Sequence, residues 1–584
     1  MTDQKPIDPT TSYIQAIREQ IEAHYSDFVN SFEKLPADST QYTFGLAEFF
    51  AIFTFAVVLF TFSDTRYKVR LAMARFPAYK LIFSFTIFVS VIVLSLEFFR
   101  VFRIPVPAFV SFEVTQWVIA LIILSILIYW IFIAFVSNHV INRRIAPHYA
   151  RLFFSYLTSG REEELHAFTL ELIPSIPKLI SFSIQHRRFG NKNKSVEPRL
   201  FQGAAYDTIR LMADPRFCAL VCKRSPHFLA IIAEEIQKQN KYGVPAHSFF
   251  RRCIHIMLTN EASALHIENE LASHGLIQTL KPITSSLFKN PYFVENLAEH
   301  SNDPFDTLYI DSHNVSHSFW KLYFDLFNLF IEEAAKHKML NNRLQVLYDV
   351  ERAMEFLFAL EFSKVSDYEK ISDKPGNMET FNAVFRGFEK MLEILKENKF
   401  KSKSPLRLHG FQYERDITDH IAVIYSQAVH HSGRLKADRW DIWWIQHNLI
   451  WTSITWQRTE IAEYIHFKLR RHIYDNVTEM DRSPNFLGAA YVRYCLNVLG
   501  FELRRPSAHD PNRRAWPLRV AVNHWVRRNY VRIVREAPGV AGAMLPPDVT
   551  YDAKRVALVR TKDDPITNAR IEVLFPLKSF AGSS

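Results

Sequence analysis

The sequence predicts a mostly α-helical protein in which three N-terminal transmembrane helices precede a large all-α cytoplasmic region. Three apolar runs lie in the first quarter of the chain, at residues 46–62, 81–99 and 117–136. A helix of about 20 apolar residues spans the hydrocarbon core of a bilayer. From residue 148 onward, apolar residues recur at steps of three and four, which is typical of amphipathic helices. These two patterns predict a membrane anchor that carries a helical body.

The chain is expected to contain four segments in sequence order. A basic, proline-containing stretch at residues 399–407 (KFKSKSPLR) predicts a linker, which divides the body near residue 405. Prolines separate the helices before it, and no fixed-period repeat is present, so this part is a helical bundle or an irregular solenoid. The four segments are an extracytoplasmic amphipathic tail at 1–44, a three-helix transmembrane anchor at 45–137, a helical cytoplasmic domain at 148–400 and an Arg/Trp-rich helical domain at 406–584.

Charge around the apolar runs predicts the topology of the anchor. The first loop, residues 63–80, holds five basic residues, the second loop, residues 100–116, holds two, and the tail before the first run is acidic. The positive-inside rule then places the N-terminus outside and the body in the cytoplasm, as a multi-pass protein of the plasma (inner) membrane. Glu48 and Glu97 are the polar residues embedded at span edges. Contact with headgroup water is favoured for both over an ion path.

The last residues of the chain predict a change from helix to strand. Residues 556–560 and 570–575 alternate or are β-branched, and residues 562–568 between them are turn-like. This pattern favours a small C-terminal β-hairpin at the end of the Arg/Trp-rich domain.

Composition excludes several classes of function. The chain has 584 residues with only 15 glycines, and it contains neither G-x-G-x-x-G nor G-x-x-x-x-G-K-[ST]. Nucleotide hydrolysis on a glycine-rich phosphate loop is therefore not expected. Its four cysteines make no disulfide framework for a chain of this length and favour buried packing over zinc binding. No metal and no cofactor are predicted.

An aromatic stripe marks the start of the last domain. Trp440, Trp444, His447, Trp451 and Ile454 fall along one face of a predicted helix. Such a stripe is more often core or a subunit interface than a platform for a ligand.

The most distinctive polar feature is an arginine-rich stretch at residues 493–535, in which Trp516, Trp525 and Tyr530 are interleaved. Arginine favours bidentate contact with phosphate, and aromatic rings stack on bases. Three interpretations remain open: nucleic acid or a nucleotide, the anionic lipid of the inner leaflet, and pairing within the protein or between subunits. The candidate phosphate- or anion-binding residues are Arg504, Arg505, Arg513, Arg514, Arg527 and Arg528.

Arg519 and His524 are the candidate catalytic pair. An arginine followed five positions later by a histidine resembles the local signature of the HEPN ribonucleases, in which both residues converge on a scissile phosphate. The same spacing occurs at Arg415/His420, Arg504/His509 and Arg143/His148, so the signature has low specificity here.

The first functional hypothesis is a non-enzymatic integral membrane protein. Its cytoplasmic body binds or senses a partner and couples to the spans, as a homo-oligomer in the lipid bilayer. The second hypothesis is a membrane-tethered nuclease or phosphodiester hydrolase that uses the C-terminal Arg/His cluster. The third is a triggered pore-forming effector.

Overall fold

The computed structural model describes most of the chain after residue 140 and parts of the chain before it. It describes residues 9–30, 32–33, 54, 64–73, 84–85, 87–92, 94–95, 98, 102, 106–107, 112–132, 140–183, 199–273, 281–300, 303–307, 315–366, 375–406, 415–436, 439–455, 457, 459–501, 503, 505–506, 511–563 and 570–578. The chain divides into two compact units, of which the first is Met1–Phe182 with Glu197–Thr208 and the second is Ser183–Val196 with Ile209–Ser584.

Within its described residues, the first unit is helical apart from one short pair of strands. Strands β1 (Phe32–Glu33) and β2 (Val106–Pro107) pair in antiparallel fashion. Its helices are α1 Pro9–Asn30, α2 Thr65–Met73, α3 Phe112–Ile131, α4 Ala146–Ser159, α5 Glu162–Leu172 and α6 Ile176–Phe182, and α7 Leu200–Leu211 begins in this unit.

The predicted three-helix transmembrane anchor is wrong, because no helix among the described residues combines the length and the apolarity that a bilayer crossing needs. A run of apolar residues in a sequence does not distinguish a membrane-spanning helix from a helix whose side chains pack on other parts of the protein. Val89 and Ile119, from the second and third apolar runs, are buried in one cluster. Helix α3 nevertheless leaves Trp117 and Leu121 exposed. The first apolar run and both predicted membrane-embedded carboxylates, Glu48 and Glu97, lie outside the described residues.

Two of the basic residues that predicted the topology have a partner within the first unit. Arg66 and Arg70 of α2 form ion pairs of 2.5 and 2.8 Å with Glu171 of α5, whose side chain is 6% exposed. The charge of the first loop therefore holds α2 against α5. The plasma-membrane localisation and the multi-pass topology are corrected together with the spans. All three functional hypotheses from the sequence depended on these spans, so they are corrected as well: the body coupled to spans, the membrane-tethered nuclease and the pore-forming effector.

The second unit is a succession of helices of ordinary length followed by a small sheet. Its helices are α8 Pro215–Arg224, α9 His227–Lys238, α10 His247–Thr259, α11 Ala264–Ser273, α12 Pro282–Phe288, α13 Pro291–Glu299, α14 His317–Lys336, α15 Gln345–Ser366, α16 Pro375–Glu397, α17 Ile417–Ser432, α18 Arg439–Trp444, α19 Thr452–Thr455, α20 Glu460–Glu479, α21 Phe486–Val498, α22 Trp516–Glu536 and α23 Pro538–Ala543. A π-helix, Ile445–Trp451, joins α18 to α19. The domain boundary near residue 405 stays a prediction.

Short sequence signals explain where several of these helices begin. The side chains of Asp214 and Asn290 accept hydrogen bonds from backbone N–H groups of the first turns of α8 and α13. In both helices proline is the first residue after the cap. A backbone N–H at this position has no partner within the helix, so the missing N–H of proline breaks no helical hydrogen bond. Asp416 closes a reciprocal capping box at the start of α17. All four cysteines are buried.

The predicted C-terminal hairpin is confirmed and is part of a three-stranded antiparallel sheet. Strand β4 (Ala557–Asp563) lies between β3 (Val549–Asp552) and β5 (Arg570–Pro576). Strand β3 was not predicted, because four residues are too few to show alternation. Arg560 of β4 is 6% exposed. It donates to the Leu496 carbonyl at 3.0 Å and thereby ties the sheet to α21.

Candidate functional site

The candidate catalytic pair occupies helix α22, with its two members on different sides. Positions five apart on an α-helix point about 140° away from each other. Arg519 is half-buried, and its Nη1 donates to the Leu499 carbonyl at 3.4 Å, whereas His524 is exposed. The geometry therefore gives these two residues separate surroundings. Arg519 and His524 do not share a site, so their catalytic role stays a prediction.

Several arginines of the 493–535 stretch bond to loop carbonyls within the second unit. Arg493 donates to the Leu435 carbonyl, beyond the end of α17, at 2.8 Å. Arg514 donates to the Gln457 carbonyl, between α19 and α20, at 3.2 Å and pairs with Glu463. Contacts within the protein therefore occupy some of the arginines in residues 493–535.

Other arginines of the stretch remain open to solvent. Arg505 is exposed and lies over the Trp516 ring, with Cζ 5.5 Å from the ring centroid. Arg513 and Arg528 are exposed, and Arg527 is half-buried. Arg504 lies outside the described residues, as does His509.

Another Arg/His pair does converge, in the interior of the second unit. His420 Nδ1 lies 2.7 Å from Glu351 Oε2, and Arg415 Nη1 lies 3.4 Å from both oxygens of the same carboxylate. The side chain of His420 is 2% exposed. A polymer phosphate has no access to such an imidazole, so this cluster joins α15 to α17. In the pair Arg143/His148, the histidine ring bonds to the Ala72 carbonyl at 2.7 Å.

A buried lysine organises a second polar network beside α17. Lys468 Nζ lies 2.6 Å from Asp419 Oδ1 and 2.8 Å from Thr418 Oγ1, and it also contacts Ser404. Burial raises the pKa of Asp416, but hydrogen bonds from Ser402 and Thr418 and the charge of Lys468 outweigh burial and place that pKa below its usual range. The network satisfies its own donors and acceptors. We assign it a structural role.

The strongest candidate site is an exposed stack of rings at the start of the π-helix segment. The Trp440 and Trp443 rings stack with centroids 5.1 Å apart and planes 22° apart. The His447 ring continues the stack at 4.6 Å and 11°. Trp440 is 65% exposed. We call Trp440, Trp443 and His447 the aromatic ladder.

The aromatic stripe predicted from the sequence divides between core and ladder. Trp451 and Ile454 are buried, as predicted for core residues. Trp440 and His447 instead stack on Trp443, which the predicted stripe did not contain. The π-helix that begins at Ile445 changes the angular register of the turns, and such segments occur frequently at functional sites. The steps of three and four between the ladder residues were the available sequence signal.

A cavity of about 280 Å³ opens beside the ladder. Trp440 and Trp443 form one wall. Residues 497–500, at the end of α21 and just beyond it, form a second wall, and Arg560 of β4 closes the third side. We call this cavity the ladder pocket. Its volume lies just below the usual range for a drug-sized ligand, about 300–1,000 Å³, so it suits one planar ring with a few polar contacts.

The second wall of the ladder pocket presents the negative end of a helix. Helix α21 ends at Val498, and Gly500 follows with φ of 76°, a left-handed conformation that glycine tolerates. Asn523 donates to the Gly500 carbonyl at 3.0 Å and fixes this turn. Arg560 forms an ion pair with Asp548 at 2.8 Å, which offsets its charge. The pocket is therefore lined by two indole rings, by a helix end whose Leu499 and Gly500 carbonyls accept from Arg519 and Asn523, and by Arg560.

Among the described residues, no cluster of histidine, cysteine or carboxylate side chains has the arrangement of a metal site. No family model, no curated protein and no solved structure matches the chain. The geometry of its own residues is thus the basis for a functional proposal.

Proposed function

We propose that this protein binds single-stranded nucleic acid, with one base stacked on the aromatic ladder. The stack of the largely exposed Trp440 ring on Trp443, beside a pocket of single-ring size, is the observation that carries the proposal. Every base has a π-face, and stacking of one base on an aromatic side chain contributes about 1–3 kcal/mol. No bond rearrangement is part of the proposed function.

The charge of the chain supports attraction of a polyanion. The formal net charge is +10. Arg505, Arg513, Arg528 and Arg535 are exposed in the stretch that also carries Arg519, whose guanidinium reaches the pocket wall at Leu499. Exposed guanidinium groups bind phosphate in bidentate fashion and attract a polyanion over distance.

Anionic lipid headgroups share the phosphate chemistry but present no planar ring. A lipid ligand therefore needs the arginines and not the ladder. Nucleic acid needs both, so substitution of Trp440 separates the two ligands.

The experiment is fluorescence anisotropy of labelled single-stranded RNA and DNA with the full chain. Trp440→Ala is expected to raise Kd about 5- to 150-fold, which corresponds to the loss of one stacked base. Phe486→Ala is the matched control, because Phe486 is 62% exposed, close to the 65% of Trp440, and does not line the pocket. Its Kd should stay unchanged. Equal affinity of wild type and Trp440→Ala, or binding to phosphatidylserine vesicles without binding to nucleic acid, contradicts the proposal.

A salt titration tests the phosphate contacts separately. For single strands, the slope of log K against log salt falls by about 0.7 for each phosphate contact that is lost. Arg528→Gln should reduce the slope by that amount if Arg528 contacts a phosphate. Lys321→Gln, a substitution in α14 on the same unit, should leave it unchanged.

A further inference from the structure

A strap of irregular chain lies against the buried lysine network. It follows α16, which ends at Glu397, and its residues form neither helix nor strand. The hydroxyl of Tyr464 donates to the backbone carbonyl of Ser404 at 2.6 Å and thereby ties the strap to α20. We call residues 399–406, the described part of the basic stretch KFKSKSPLR, the strap.

Two half-buried serines of the strap bond to the network through their hydroxyl groups. Ser402 Oγ donates to Asp416 Oδ2 at 2.5 Å and lies 3.2 Å from Thr418 Oγ1. Ser404 Oγ accepts from Lys468 Nζ. Asp416 is 1% exposed and the Lys468 side chain is 0% exposed. The strap therefore closes the network with hydroxyl groups that carry no charge.

The lysines of the strap alternate with these serines and are exposed. They are Lys399, Lys401 and Lys403, and none of the ion pairs among the described residues involves them. Their charge is therefore available to a partner outside the chain. Protein kinases distinguish their substrates by the pattern of charges around the modified residue. A serine between exposed lysines, in chain without regular structure, suits a kinase that recognises basic residues.

The closed network has no place for a phosphate on Ser402. It holds one ammonium group, that of Lys468, beside the two carboxylates of Asp416 and Asp419. A phosphoserine adds a charge of about −1.5 to −2 at pH 7. Esterification also removes the hydroxyl proton that Ser402 donates to Asp416, so two groups that only accept would meet there. Repulsion of like charges is strong where water is excluded.

We propose that Ser402 is a phosphorylation site, and that its phosphate releases the strap from the buried lysine network. A protein kinase transfers the γ-phosphoryl group of ATP to Ser402 Oγ. The bond from that phosphorus to the oxygen of ADP breaks, the bond from Oγ to phosphorus forms, the hydroxyl proton passes to a base of the kinase, and ADP leaves. Because Ser402 is half-buried, the kinase acts on the strap when it opens, and the phosphate then prevents its return.

The site is tested on the full chain with magnesium, ATP and the catalytic domain of protein kinase C, which recognises basic residues near serine. Cleavage after glutamate yields one peptide, residues 398–414, whose only serines are Ser402 and Ser404. We expect a phosphate on this peptide in the wild type and its loss in Ser402→Ala. Absence of phosphate from the wild-type peptide, or an undiminished amount in Ser402→Ala, overturns the site.

Release of the strap is measured by cleavage with chymotrypsin after Phe400. The rate of cleavage follows the open population when opening and closing are fast. The phosphorylated chain should be cut about 10- to 150-fold faster than the untreated chain, which corresponds to the loss of one hydrogen bond to a charged group. Equal rates overturn the release. This comparison needs no substitution, so a misfolded variant does not affect it.

The variant Ser402→Glu separates the effect of charge from that of the lost hydroxyl. It should be cut faster than Ser402→Ala, which removes the hydroxyl and adds no charge. Ser363→Glu is the matched control, because Ser363 of α15 is exposed, and its rate should equal that of the wild type. A thermal unfolding curve verifies that each variant is folded. Equal rates for Ser402→Glu and Ser402→Ala overturn the role of like-charge repulsion.

Discussion

The substitution Lys468→Met tests whether the buried lysine network holds the second unit together. The side chain of Lys468 is 0% exposed, and those of Asp416 and Asp419 are 2% and 3% exposed. Methionine has nearly the length of lysine, so the change removes the charge and leaves little empty space. The two carboxylates then remain buried without their cation, which costs about 3–5 kcal/mol when one partner of a buried ion pair is removed.

The assay is urea unfolding of the full chain at pH 7, followed by circular dichroism. Lys390→Met is the matched control, because Lys390 Nζ pairs with Asp325 at 3.0 Å while the two side chains are 56% and 38% exposed. An exposed pair contributes about 0–1 kcal/mol. The free energy of unfolding should therefore fall at least three times as far in Lys468→Met as in the control. Equal losses below 1 kcal/mol in both variants would refute the reasoning.

Three further outcomes are expected from single substitutions. His466→Phe should flatten the pH dependence of the free energy of unfolding. Burial lowers the pKa of His466 well below its usual value, so its neutral ring stabilises the fold above about pH 6.5. As the pH falls from there to the folded-state pKa, the wild type loses up to about 1.4 kcal/mol of this stability per pH unit. Gly387→Ala should cost about 1–3 kcal/mol in urea unfolding, because a Cβ at this position meets the Phe324 side chain. Gly203→Ala is its control, since a Cβ there meets nothing within 4 Å, and it should be neutral or stabilising. Glu171→Gln should lower the melting temperature of the first unit, because its arginine partners lose a buried carboxylate that is 6% exposed.

Each expectation has a result that contradicts it. An unchanged slope of unfolding free energy between pH 5 and 7 in His466→Phe means that this histidine is not a source of acid sensitivity. Equal stability of Gly387→Ala and Gly203→Ala means that the Phe324 side chain moves away from the added Cβ at little cost. An unchanged melting curve of Glu171→Gln means that the carboxylate does not hold α2 against α5.

Sequence patterns that span only a few residues relate directly to much of the fold. The alternation in β4 and β5 indicated the hairpin. Proline was interpreted only as a separator between helices, whereas the prolines after the caps Asp214 and Asn290 begin α8 and α13. Such features are decided by neighbours in sequence, and a single sequence therefore reveals them.

Features decided by distant partners were missed. Arg66 and Glu171 are 105 positions apart, and nothing near Arg66 in sequence indicates that its charge is used inside the first unit. The basic loop was consequently interpreted as a topology signal. The ladder was missed for a different reason. The predicted stripe took Trp444 and passed over Trp443, although Trp443 is three residues from Trp440 and four from His447 and stacks on both rings.

Photo-crosslinking with 8-azidoadenosine monophosphate tests the central claim most directly. Cleavage by trypsin after Arg439 and Arg458 yields one peptide, residues 440–458, that carries the entire aromatic ladder. We expect the adduct on this peptide and on residues 494–504 from the opposite wall, suppressed by excess adenosine monophosphate and by Trp440→Ala. Adducts on other peptides that persist in Trp440→Ala would contradict the assignment of the ladder as the binding site for a base.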